Sequence, residues 1–414
     1  MVGFAVFRIV FGFILLLYHL PRVFYISELY TKEGFLFPDY LFFALGFPIP
    51  TFFFALLLNL ILYIAIFLLI IGYKGRASSV IIFLVQIFLL LLENFSTRGY
   101  GRIIVIYSFL LLFAPASSFL SLDYAAERYR QIRDRLPKSF SARPPKAPIT
   151  VQHLALWQLL SIYFFNVITK LKIGGTNWFS GEYLLNFYRD TKTFGNTLVV
   201  YIFEQVPLLL PILGMSVIYI LSFLVVGLLI PRYRNAAIML GIVYHSVALI
   251  TSGIPYVFSF LMLSLYLLAV EPKTWYKWWH NLEERCSESR IRLFYDGDCQ
   301  FCKRSIALVG ALDFCGKIEA ISVFSLKPED LKTLPPVVNS KEKLLQEVTA
   351  LTPSDKVFRG LFAFRYVLKY LPHGWLLLPL FWLPGASWFG VRVYKWIAFN
   401  RYGSMTCNSC GNNK

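Results

Sequence analysis

Residues 294–305 read FYDGDCQFCKRS, two cysteines three positions apart in a chain that is otherwise strongly apolar. Immediately upstream, IRLFY (291–295) is a short β-rich run. Downstream, FCKRSIALVGALDF (301–314) spaces its apolar residues as a helix does, and KIEAISVF (317–324) reads as a second strand. A strand, a polar turn carrying CxxC, a helix and a strand make the opening of a βαβ domain. The placement carries chemistry. At the start of a helix, unpaired backbone N–H groups and the helix dipole stabilise a thiolate and lower its pKa below the usual value of about 8.5. Cys299 is expected to be the more exposed, attacking thiol and Cys302, one step into the helix, the resolving one. Lys303 and Arg304 add positive charge nearby.

Working outward, 57% hydrophobic and 18% aromatic residues against 15% charged describe an integral membrane protein, and 414 residues allow a helical bundle plus one appended domain. Apolar stretches long enough for a core of about 30 Å occur near 2–20, 51–72, 78–95, 102–120, 153–169, 207–230, 236–253 and 255–270, about eight spans. The last two are separated only by Gly253-Ile254-Pro255. The first is longer than a secretory apolar core and carries Arg8, so it reads as a retained helix. The formal charge of +17 falls largely between the apolar runs, which argues for a membrane surface and against a nucleic-acid partner.

Basic loops orient the bundle. The stretch 121–152 carries Arg128, Arg130, Arg133, Arg135, Lys138, Arg143 and Lys146, and its RPPKAP end is incompatible with regular helix, so it reads as a cytoplasmic linker. Eight spans then place the domain after 270 in the cytoplasm. The segment TWYKWWHNLEER (274–285) has the character of an interfacial helix, with Trp275, Trp278 and Trp279 at headgroup depth. The expected division is a membrane domain over 1–272, an interfacial linker over 273–289 and an α/β thioredoxin-like domain over 290–414.

Two resemblances extend this reading. LFYDGDCQFC, with Asp296, Cys299 and Cys302 in a D-x-x-C-x-x-C pattern, resembles the DCC family of thiol-disulfide oxidoreductase-like proteins. The later stretches DKVFRGLFAFRYVLKYLPHGWLLLPLFWLPG and VYKWIAFNRY, the second ending in Asn400, Arg401 and Tyr402, resemble the same family. This implies a thioredoxin-like domain with redox-active thiols acting on a thiol or disulfide substrate protein, with Asp296 tuning protonation. Thioredoxin's cis-proline has no clear counterpart, since Pro353 lies in the turn TPSDK. A rival reading uses the second CxxC: Cys299, Cys302, Cys407 and Cys410 as a four-cysteine zinc site, although their separation far exceeds the roughly 15–20 residues of a zinc ribbon. Cys315 reads as a buried helix residue.

Within the spans, Arg8, His19, Gln86, Glu93, Gln158, Asn166, Glu204 and His245 are polar residues that cost free energy in lipid and face a bundle interior or cavity. Tyr163, Asn166 and Lys170 fall at i, i+3 and i+7, one helix face. RIVFGFILLLYHL, YFFNVITKLKIGGTNWFSGEYL and YHSVALITSGIPYVFSFLML resemble the HTTM domain, the membrane region shared with vitamin K-dependent γ-carboxylase. In that enzyme the second lysine of a KKL stretch deprotonates vitamin K hydroquinone. The resemblance implies a base at Lys170, with Thr169 in place of the first lysine, and a quinone-sized pocket with Asn166 and His245 as candidate contacts. Three functions are therefore open. One is a membrane-bound thiol-disulfide oxidoreductase engaging a quinone or lipid. The second is a quinol-dependent carboxylase- or epoxidase-like modifying enzyme with Lys170 as base. The third is a membrane scaffold stabilised by zinc.

Overall fold

Apolar sequence becomes helix in this protein because a backbone without water must satisfy its own hydrogen bonds. The computed structural model describes residues 1–34, 36–93, 98–145, 149–190, 194–251 and 256–400. Among them, six helices are long and apolar enough to cross a bilayer: Val2–Tyr30, Phe52–Ile71, Gly75–Leu92, Thr150–Gly174, Leu209–Leu229 and Pro231–Thr251. A seventh is reached if Tyr256–Ala269 and Pro272–Glu288, bent by 90° at their junction, count as one span. Against the expected eight, the two remaining positions hold apolar helices, Arg98–Phe113 and Tyr256–Ala269, of 16 and 14 residues. At about 1.5 Å per residue these are shorter than a core of about 30 Å. Gly253-Ile254-Pro255 lies outside the described residues.

Contacts divide the chain into two units, Met1–Phe119 with Lys146–Trp275, and Leu120–Pro145 with Tyr276–Lys414. In the first, Phe52–Ile71 stops where Gly72 adopts φ +70°, with Gly72 N–H donating to Leu69 O at 3.1 Å and Tyr73 N–H to Leu68 O at 2.9 Å. That left-handed cap costs glycine little, and it turns the chain directly into Gly75–Leu92. The buried polar residues join helices. His19 Nε2 meets Gln86 Nε2 at 2.7 Å, Tyr63 Oη donates to His19 O at 2.6 Å, and Arg8 reaches Ile70 O at 3.4 Å. Glu204, by contrast, is exposed and pairs with Arg189 at 2.9 Å.

The second unit is built on a four-stranded mixed sheet of order β2-β1-β3-β4. Strands β1 (Ile291–Tyr295) and β2 (Ile318–Ser322) are parallel, with Ile291 opposite Ile318, and the helix Gln300–Leu312 crosses between them. Strands β3 (Thr349–Leu351) and β4 (Val357–Arg359) form an antiparallel hairpin, β3 running antiparallel to β1. The βαβ opening and the thioredoxin-like class are as the sequence implied.

The linker is more than a linker. Leu122–Ile132 is a helix, and the extended stretch after it lies along the free edge of β2: Ser139 bridges Glu319, and Ala320 N–H donates to Lys138 O at 3.1 Å. It thereby covers a sheet edge that would otherwise pair with other chains. The helix Pro272–Glu288 corrects the interfacial reading for Trp279, which is buried within this unit and donates Nε1 to Ala142 O at 3.3 Å. Trp278 is exposed.

Candidate functional site

Asp296 follows the last residue of β1, and its Oδ1 accepts the N–H groups of Asp298 (3.0 Å) and Cys299 (3.2 Å). This Asx turn bends the chain from strand to helix. Gly297 within it leaves room for Ser322 on β2, whose Oγ would lie 2.1 Å from a Cβ at that position. Cys299 is the N-cap of Gln300–Leu312, and its Sγ accepts the N–H of Cys302 at 3.3 Å. A sulfur in that position takes the place of the usual capping oxygen, and its anionic form gains from the donor and the helix dipole. Lys303 is half-buried and Arg304 exposed on the same turn.

One expectation needs correcting. Cys299 is not the exposed thiol: it is 2% exposed and Cys302 4%, and both belong to the apolar cluster of the sheet, with Phe140, Tyr295, Ile306 and Val348. A cysteine on a short loop between strand and helix is drawn into the layer between them. Val348, immediately before β3, belongs to the same cluster, and Pro353 sits in the β3–β4 turn, as expected. Cys407 and Cys410, and with them half of the proposed zinc set, lie outside the described residues, as do Arg401 and Tyr402. Among the described residues no three His, Cys, Asp or Glu side chains converge as a metal site requires.

The first unit holds a cavity of about 550 Å³ whose wall is mostly apolar and includes Lys170, Trp178, Tyr183, Tyr188, Tyr244 and Thr251. Lys170 opens a π-helical turn, Lys170–Gly174, and its Nζ lies 3.8 Å from the centre of the Trp178 ring. Single π-turns recur at functional sites, and an ammonium over indole is an attractive pair. The IGGTNW sequence makes it possible: a Cβ on Gly174 would fall 2.1 Å from the Trp178 ring, and Gly175 has φ +48°. Asn166 and His245 do not line this cavity. Asn166 is exposed, and His245 is buried, bonded through Nε2 to Tyr163 Oη at 2.9 Å, which in turn meets Tyr266 Oη at 2.5 Å. Sequence reasoning missed Trp178, Tyr188 and Tyr244. The short span from Lys170 to Trp178 was the available signal for the first, whereas the tyrosines come from separate helices.

Residues 2–275 match the family model described as HTTM domain. The chain belongs to the HTTM family. Behind the HTTM bundle, residues 293–406 match the model described as DCC1-like thiol-disulfide oxidoreductase. The protein is thus a multi-pass membrane protein in which an HTTM domain precedes a thiol-disulfide oxidoreductase domain. No curated protein and no solved structure matches the chain.

Proposed function

We propose that this HTTM protein exchanges disulfides with a substrate protein through Cys299 and Cys302. The observation that carries this is the capping geometry of Cys299, with Sγ receiving the N–H of Cys302 at 3.3 Å. In the reducing direction the Cys299 thiolate attacks one sulfur of a substrate disulfide and the other sulfur leaves as a thiolate. Cys302 then attacks Cys299 in the mixed disulfide and releases the substrate's second sulfur. The substrate gains two electrons and the cysteine pair is left as a disulfide; the reverse sequence oxidises a substrate dithiol. Asp296 holds the loop in register through its two N–H bonds. Replacing Cys302 by Ser removes the resolving thiol, so Cys302→Ser is expected to accumulate a Cys299-linked mixed disulfide detectable on non-reducing gels. Absence of any adduct in Cys302→Ser, with Cys299→Ser as the blank, would count against the exchange reaction.

The side on which this happens is part of the proposal: the redox unit faces the cytoplasm. Its linker segment carries Arg128, Arg130, Arg133, Arg135, Lys138 and Arg143, the pattern expected of a cytoplasmic loop. The membrane surface is its second partner. Trp375, Trp382, Trp388, Phe389, Trp396 and Phe399 are all exposed, and Arg365 and Arg392 lie over the Trp382 and Trp388 rings at 4.6 and 3.6 Å. Aromatic and basic residues in such a mixture suit the headgroup layer.

A second reading is favoured by the cavity at Lys170. Its volume and apolar wall fit the ring of a quinone, which when bound would supply two-electron redox chemistry. Among the described residues, Lys170 is the one basic group on that wall, placed to hold or accept a proton, with Trp178 against its ammonium. Lys170→Met, which keeps much of the side chain's bulk, is expected to abolish quinol-dependent activity while leaving quinone retention in the purified protein. Full activity in Lys170→Met would remove the lysine from that chemistry.

A further inference from the structure

Disulfide exchange at the CxxC uses two cysteines, and two others meet elsewhere in the same unit. Cys286 lies near the end of the helix Pro272–Glu288, and Cys315 lies in the turn after Gln300–Leu312; both are free and half-buried. Their side chains are neighbours that interact with each other. The segments that carry them are tied together just beyond the thiols. Arg290 Nε donates to Gly316 O at 3.3 Å, Ile291 N–H to Lys317 O at 2.8 Å, and Lys317 Nζ to Ser289 Oγ at 2.5 Å. These bonds hold the two segments side by side just beyond the thiols. Gly316, at φ +69°, turns the chain beside Cys315, and a Cβ there would press on Ser141 at 3.0 Å.

Cys315 also forms part of the wall of a polar cleft of about 440 Å³, whose other charged or titratable groups among the described residues are Arg143, Tyr276, His280, Glu283, Glu284 and Arg290. Guanidinium groups and carboxylates on one small wall suit a ligand bearing both charges. We infer that Cys286 and Cys315 form a second thiol–disulfide site, oxidised by a small zwitterionic disulfide that binds this cleft. In its oxidised form this site ties the end of the helix Pro272–Glu288 to the turn after the cysteine helix. The inference stands independently of the reading of Cys299 and Cys302.

The exchange balances without a further reagent. Cys315, on the cleft wall, attacks one sulfur of the bound disulfide and one small thiol leaves. Cys286 then attacks the sulfur of Cys315 and the second small thiol leaves. Two protein S–H bonds are replaced by one S–S bond, the two protons end on the two small thiols, and the disulfide takes up two electrons. Burial first, and then the neighbouring Cys286, pushes the Cys315 thiol well above its ordinary range, with Asp313 and Glu283 adding to the effect. Only the thiolate reacts, so the rate is expected to keep rising with pH above 8 instead of levelling there.

The test uses the full-length protein in nanodiscs, treated with oxidised glutathione, then alkylated and mapped by mass spectrometry. The expected product is a Cys286–Cys315 cross-linked peptide approaching one per chain. Cys286→Ser should stop at a Cys315–glutathione adduct, and Cys315→Ser should lose the cross-link. Retention of an oxidisable Cys299–Cys302 pair in both variants checks that they are folded. Arg143→Ala should slow oxidation by glutathione disulfide about tenfold while leaving oxidation by uncharged hydroxyethyl disulfide unchanged. Absence of the 286–315 cross-link when Cys299–Cys302 is fully oxidised would overturn the site. Equal loss with both disulfides in Arg143→Ala would overturn the role of the cleft.

Discussion

Asp296 binds two backbone N–H groups through one carboxylate oxygen, and that geometry separates two accounts of its role. As a proton-tuning group it would need its charge; as the acceptor that shapes the loop it needs only an oxygen in the same place. Asn supplies that oxygen and Ala does not. Asp296→Asn is therefore expected to keep its exchange rate within about threefold. Asp296→Ala is expected to lose about 1–2 kcal/mol of stability, the usual cost of a lost turn or cap acceptor, and at least tenfold in rate. Thermal unfolding and insulin-disulfide reduction measure the two quantities. Equal damage from Asn and Ala would restore the charge to the leading role. The D-x-x-C-x-x-C spacing was enough to single out Asp296, Cys299 and Cys302, because local chain geometry fixes a turn and a helix start. Their burial was not legible, since it is set by residues as distant in sequence as Phe140 and Val348.

At the scale of elements, the segment 120–145 illustrates the limit of reading along a chain. Its basic charge and RPPKAP end suggested a connector, yet Arg128 is buried and donates to Ala311 O at 2.9 Å, Asp313 O at 3.2 Å and Phe140 O. The carbonyls of Ala311 and Asp313 lie at the end of the cysteine helix, where unpaired acceptors and the negative dipole end favour a cation. Phe140 in turn lies against Gly310, where a Cβ would fall 2.3 Å from the ring. Strand and helix periods report such faces only when the partner is near in sequence; here it lies some 180 residues away. Arg128→Met keeps much of the apolar stem and removes the donors, and is expected to cost about 1.5–3 kcal/mol, the range for hydrogen bonds from a charged group. Gly310→Val is expected to cost a similar amount by overpacking. Both should lower the unfolding temperature of the redox unit in the full chain. An unchanged transition for Arg128→Met would mean that water replaces the guanidinium at those carbonyls.

For the molecule as a whole, the membership of 120–145 in the redox unit constrains how the chain crosses the membrane. The chain enters that unit after Phe119, leaves it near Lys146, and enters it again at Tyr276. Both visits are to one compact body on one side of the bilayer, so the number of crossings between 146 and 275 has to be even. Among the described residues, three helices in that interval, Thr150–Gly174, Leu209–Leu229 and Pro231–Thr251, are long enough to cross. Tyr256–Ala269, with 14 residues, is therefore expected to make the fourth crossing, as the apolar run read from the sequence implied. A chain of this kind makes sharp demands on labelling. Single cysteines placed at the exposed positions Glu127 and Lys332 should behave alike, both shielded from a membrane-impermeant maleimide in intact cells and labelled after permeabilisation. A cysteine at exposed Glu182, one crossing beyond the linker, should label in intact cells. Opposite behaviour at 127 and 332 would mean that Tyr256–Ala269 does not cross. Labelling of both from outside would turn the redox unit toward the extracytoplasmic face, where thiols are kept oxidised, and the Cys299–Cys302 pair would then serve to form disulfides rather than to reduce them.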